Sequence, residues 1–364
     1  MVKDFFRKYI STFARVCFCL LAFALAAKVI ALCSPVFADF FNRYIASVPR
    51  SILSYLTAIF PFSVAEAFVI AAIPLIILAL VYCGFVVFKK GKGLRLIFDI
   101  VGIICLLFAV FIINMSIAYD VTPIEEKMDL DTDITAYDLY EACEIIIAEL
   151  EELEDKIVRD EAGAAIMPYS FSQMNKKLND AYKKLDDDLE FLIPLYVPTK
   201  KIALSKPFTY TQISGVYTVF TGEANINVNL PAFVIPSTAA HEMAHQRGIA
   251  PEDEANFVAF MVCYNSDDPF IRYSGLMEML DYLAGALLEA DANLYVELSQ
   301  KFLESSVIEY LLFSLSISKY NTNDNTVGEI ATAANDAYLK SQGQTAGVES
   351  YDLVASLATA YLLK

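Results

Sequence analysis

Tryptophan is absent from this chain, and histidine occurs only twice in 364 residues. Without tryptophan, the aromatic belts of any membrane segment must come from tyrosine and phenylalanine. With two histidines, a metal site of three imidazoles is excluded. Charge is thin at 20%, against ~25% in an average soluble domain. The seven cysteines include no Cys-x-x-Cys pair, which removes the usual structural zinc arrangements. Cys17, Cys19, Cys33, Cys83 and Cys105 fall in or beside apolar stretches, where a thiol behaves as a small hydrophobe. Only Cys143 and Cys263 lie further on, and spacing alone neither requires nor forbids a disulfide between them.

What is present is unevenly placed. Residues 1–118 hold 11 Lys+Arg and 4 Asp+Glu, a net of +7, so the rest of the chain carries −24 of the total −17. An acidic part of that size argues against nucleic acid as a partner, because phosphate contacts need a basic face. Three apolar stretches in the basic part reach the ~20 residues that cross a bilayer, about 16–37, 67–88 and 100–119. The first contains Lys28, which near a helix end can snorkel to the interface. A cleaved leader is the rival for that stretch, but its apolar run is long and no small-x-small site ends it.

Lys3, Arg7, Lys8 and Arg15 precede the first stretch, and Lys89, Lys90, Lys92 and Arg95 separate the second from the third. Basic flanks stay in the cytoplasm, so the N-terminus is expected inside and everything after Tyr119 outside. The spans carry few ionisable groups and read as an anchor to the lipid bilayer rather than a transport path. The expected division is 1–119 as membrane anchor and 120–364 as an extracytoplasmic domain.

The outer domain reads as mainly helical. Residues 135–160 put Leu139, Cys143, Ile146, Ile147 and Leu150 on one face, and 171–192 do the same with Met174, Leu178, Tyr182, Leu185 and Leu189. Lys201–Ser205 and Val216–Val228 alternate and are rich in strand formers. Helical pattern resumes at Ser237.

Both histidines stand in His241-Glu242-Met243-Ala244-His245. Positions i and i+4 share one helical face, so both rings can reach one ion. Two histidines scattered at random in this chain would stand four apart roughly 0.5% of the time, which disfavours an accidental match. Ser237 or Thr238 is expected to cap this helix, and Gly248 to end it. Glu242 lies beside the ligands, where a carboxylate can take a proton from metal-bound water.

A third ligand is required, and a carboxylate must supply it. Glu252 and Glu254 open the next helix but point about 200° apart, so only one can face the ion. In gluzincin zinc peptidases the ligand glutamate is followed four residues later by a polar residue that orients a ligand histidine from behind. Glu252 with Asn256 fits that spacing, whereas Glu254 is paired with Val258. The pattern favours Glu252 as ligand and Asn256 as its support.

Ile59-Phe60-Pro61-Phe62-Ser63, Phe220-Thr221-Gly222-Glu223-Ala224-Asn225, the run HEMAHQRGIAPEDEANF from His241 to Phe257, and Arg272-Tyr273-Ser274 together resemble a bacterial family of membrane-anchored, zinc-dependent peptidases with a gluzincin-like centre, known only as a domain of unknown function. The resemblance implies three N-terminal transmembrane helices followed by a mainly α, α+β zincin-like metallopeptidase domain, with zinc as cofactor and a peptide or protein as substrate.

In that reading Glu242 is the general base. Tyr273, Arg272 and Tyr351 are candidates for stabilising the oxyanion, with Tyr273 preferred. Residues 216–225, with Val216, Tyr217, Phe220 and Glu223, are expected to pair with extended substrate by strand addition. The competing expectation is a non-catalytic, zinc-stabilised membrane sensor or binding module.

Overall fold

The computed structural model describes residues 9–90, 93–185, 188–320, 325–344 and 351–364. It divides into two compact units, Met1–Val121 with Thr218–Glu223, and Thr122–Tyr217 with Ala224–Lys364.

The first unit is helical. Ser11 caps α1 (Thr12–Cys33) by accepting the N–H of Ala14. The apolar run does not continue as one helix to residue 37, because Ser34 is extended (φ −152°, ψ 96°) and caps a new short helix that starts at Pro35. After a π-helical turn come α2 (Ser47–Ala58), α3 (Val64–Lys90) and α4 (Gly93–Asn114).

Two helical segments, Thr12–Cys33 and Gly93–Tyr119, are long and apolar enough to cross a membrane. Val64–Ala72 and Pro74–Phe85 make a third if taken as one span; they are bent by 54°, at a proline that removes one helical hydrogen bond and crowds the preceding turn. Val29, Leu32, Leu78 and Phe108 face outward, which is how a helix pack meets lipid rather than water. Among the expected cytoplasmic cations, Lys3, Arg7, Lys8 and Lys92 lie outside the described residues, as do the side chains of Lys89 and Lys90.

Lys28 is held inside this unit: its ammonium donates to Asp120 at 2.6 Å and to the Ser116 carbonyl at 2.8 Å. The same unit takes in the segment Thr218–Glu223. Ser54 donates to the Gly222 carbonyl (2.7 Å), Thr57 to that of Thr221 (3.1 Å), and the two oxygens of Glu223 accept the N–H groups of Val64 and Ala65 at 2.9 and 2.8 Å. Glu223 therefore caps α3, a favourable place for an anion at a helix N-terminus.

The second unit builds its core from helices around a small sheet. α5 (Ala136–Leu153) starts at a capping box in which Thr135 and Asp138 exchange hydrogen bonds. α6 (Phe171–Lys184) has the same device from Ser170 and Gln173. The alternating stretches give only short strands, β1 (Lys200–Lys201), β2 (Gly215–Thr218) and β3 (Glu223–Ile226), in the order β1-β3-β2, with β1 parallel to β3 and Lys200 opposite Asn225. Just beyond β3 the Asn227 N–H still bonds the Ser214 carbonyl at 2.9 Å, while its side chain donates to the Ile213 carbonyl and the Thr209 hydroxyl.

Then come α7 (Val234–Gln246), α8 (Glu252–Tyr264), α9 (Pro269–Ala290), α10 (Glu304–Ser318), α11 (Thr326–Ser341) and α12 (Tyr351–Leu362). The long α9 is central: it packs on α5, α7, α8 and α12. Gly275 permits its approach to α8, since a Cβ there would collide with that of Cys263. Cys143 and Cys263 are buried free thiols.

Candidate metal centre

α7 begins four residues earlier than a Ser237 cap would place it. Its first turn follows Pro231, whose carbonyl accepts the N–H of Val234 (3.2 Å), and the Ser237 hydroxyl turns back to the Val234 carbonyl at 3.0 Å. The C-terminus is a Schellman motif: Ile249 N–H bonds the Ala244 carbonyl (3.2 Å) and Gly248 N–H that of His245 (3.1 Å). Gly248 sits at φ 106°, in the left-handed region that glycine adopts without strain. The reversal returns the Ile249 carbonyl to His245, whose Nδ1 lies 2.8 Å from it. That bond makes Nδ1 the protonated nitrogen and leaves the Nε2 lone pair free for an ion.

Pro251 precedes α8, so Glu252 stands in its first turn. One Glu252 oxygen lies 3.2 Å from His241 Nε2 and 3.4 Å from His245 Nε2. The two imidazoles meet edge to face, with centroids 4.6 Å apart. All three donor atoms fall within 4.8 Å of one another. Nitrogen and oxygen donors about 2.1 Å from a tetrahedral ion are separated by about 3.4 Å, so the triad has the dimensions of a metal site.

Burial alone would lower the His241 pKa, but its hydrogen bond to Glu252 and the charges of Glu242, Glu252 and Glu278 prevail and lift it to about 9. Burial would raise Glu252, but the two imidazoles beside it prevail and hold it well below the usual carboxylate range.

Glu254, the other candidate ligand, is on the opposite side of α8. It is buried, accepts the N–H of Ile124 at 3.1 Å, and burial raises it to about 8. Asn256 bonds neither ring among the described residues: His245 is served by Ile249, and His241 Nδ1 is buried without a partner.

Tyr273 is 1% exposed and hydrogen-bonds Arg159 (3.3 Å) and Glu309 (3.4 Å). Arg272 is paired with Glu149. The side chain of Tyr351 lies outside the described residues.

Of the expected substrate strand, Val216 is exposed on β2, while Tyr217 is buried with its ring stacked toward His245 at 6.5 Å. Phe220 lies in the turn between β2 and β3, and Glu223 has both oxygens engaged by α3.

Glu242 is 4% exposed, and burial raises its pKa although both histidines oppose the shift. It accepts the backbone N–H of Tyr217. β2 comes so close that a Cβ on Gly215 would stand 2.6 Å from Glu242 Oε1. Sequence reasoning missed this role, and the sole hint of it is a glycine at the start of an otherwise β-branched and aromatic strand.

A family profile described as "Protein of unknown function (DUF3810)" matches residues 41–359. No curated protein and no solved structure matches the chain. The likeness to gluzincin zinc peptidases is corrected by these findings. The third donor follows His245 by seven residues, and this triad does not have the gluzincin spacing. No relationship to a peptidase supports hydrolysis, so the assignments of a hydrolase and of Glu242 as its general base fall with the family likeness.

Proposed function

The chain belongs to the DUF3810 family, whose description assigns it no function, and on that footing we propose a membrane-anchored, non-catalytic module that binds one zinc-like divalent ion through His241, His245 and Glu252. The observation that carries this reading is the convergence of three donor atoms from α7 and α8 within 4.8 Å. Two imidazoles and a carboxylate suit zinc, which accepts mixed nitrogen and oxygen donors in a tetrahedron. When bound, the ion would tie α7 to α8, so the metal state would set the rigidity of the second unit, as a sensor or ligand-binding module requires.

The role of Glu242 supports a stabilising site: its carboxylate fastens β2 to the metal helix. Arg15 and the Lys89–Arg95 cluster support a cytoplasmic N-terminus and a metal-binding unit on the outer face.

The test is metal analysis of the full-length protein in detergent micelles, with thermal unfolding before and after chelation. One equivalent of zinc is expected, and His241→Ala and Glu252→Ala should lose it while Glu254→Ala retains it. Free zinc at a hundredfold excess over Kd should stabilise the folded protein by about 2.7 kcal/mol. Zinc retained equally by all three variants would sink the proposal.

A further inference from the structure

His245 and His241 differ behind the ion. His245 has a carbonyl at Nδ1, whereas His241 Nδ1 is buried and unpartnered. A buried ring N–H without an acceptor is costly, and ligand histidines ordinarily give that hydrogen to a carboxylate or carbonyl.

The surrounding helices supply a carboxylate. On α9, Ser274 Oγ accepts the N–H of Ser237 at 2.9 Å. One turn further along α9 stands Glu278, and one turn further along α7 stands His241. Residues four apart share a helix face, so Glu278 lies on the face of α9 that Ser274 turns to α7. Glu278 is close enough to interact electrostatically with both Ser237 and His241. Three carboxylates act on His241: Glu252, Glu242 and Glu278. Glu252 stands at Nε2, and Glu242 gives one oxygen to the Tyr217 N–H, its other oxygen being buried and not bonded to Nδ1. Of the three, Glu278 is the one that α9 brings to His241.

We propose that Glu278 is the positioning residue for the metal ligand His241, accepting its Nδ1–H when Nε2 binds the ion. This rests on the metal-binding reading above. It assigns to α9 the role that sequence spacing gave to Asn256 on α8. The carboxylate would hold the ring in one tautomer and make Nε2 a stronger donor, as carboxylates behind ligand histidines do.

The experiment is a zinc competition titration of the full-length protein in detergent micelles, comparing wild type with Glu278→Gln, Glu278→Ala and, as a control acid on the same helix, Asp281→Asn. Both Glu278 variants should still bind one equivalent but about 10–100-fold more weakly, with Asp281→Asn like wild type. Metal-free unfolding is measured alongside, and cobalt is substituted at saturation. The cobalt absorption bands of Glu278→Gln should shift, which a loss of general stability does not produce. Unchanged zinc affinity and unchanged bands in Glu278→Gln would overturn the role of Glu278 alone. A wild type that binds no zinc would overturn the metal reading and this inference with it.

Discussion

His241 and Glu252 form an ion pair, and its titration fixes how metal binding must depend on pH. His241 is raised to about 9. Its contribution to stability is therefore complete below the ordinary histidine value of ~6.5 and is lost as pH rises through about 9. Glu252 is depressed, so its contribution is present above the usual carboxylate range and lost only in strong acid. An ion that takes His241 Nε2 must displace the proton. Zinc affinity should thus rise about tenfold per pH unit from 7 and level off near 9; a profile flat between 7 and 9 in competition titrations would contradict the pairing. At Glu242 the expectation is structural. Glu242→Ala removes the acceptor for Tyr217 N–H and should cost about 1–3 kcal/mol in chemical denaturation, with metal content unchanged. The histidine pair was legible because its geometry is local to one helix. The settings of Tyr273 and Glu223 were not, since their partners Glu309 and Val64 come from distant parts of the chain.

Helix periodicity announced α5 and α6, because the apolar residues of a helix face recur at short range in sequence, but both end earlier than the pattern reached, at Leu153 and Lys184. The start of α7 was placed too late: Pro231 sets the first turn, and the serine expected to cap it bonds backward instead. The alternating stretches overstated the strands, which run only two to four residues. Two element-level substitutions follow from close approaches. Gly215→Ala would push against Glu242 and Thr238 and should cost about 1–3 kcal/mol, read as a lower unfolding midpoint. Glu223→Ala strips two N–H groups of α3 of their acceptor and should cost a similar 1–3 kcal/mol, with zinc content preserved; loss of zinc in that variant would mean the two regions are coupled.

Across the molecule, the apolar helices define a multi-pass membrane protein, and the buried thiols of the second unit offer a check on its folding. Burial pushes Cys143 up to about 12 and raises Cys263 as well, so both should resist maleimide at neutral pH until the protein is denatured. Reaction under native conditions would show that this core opens readily.

Composition and order along the chain by themselves determined the apolar helices, the division into a basic and an acidic part, and the histidine pair, because each is read from residue types along the chain without knowing what packs against what. Folding alone decided that Glu252 rather than Glu254 joins the rings and that Glu242 serves β2. Each of those depends on which helices and strands pack together, and no local spacing carries that information.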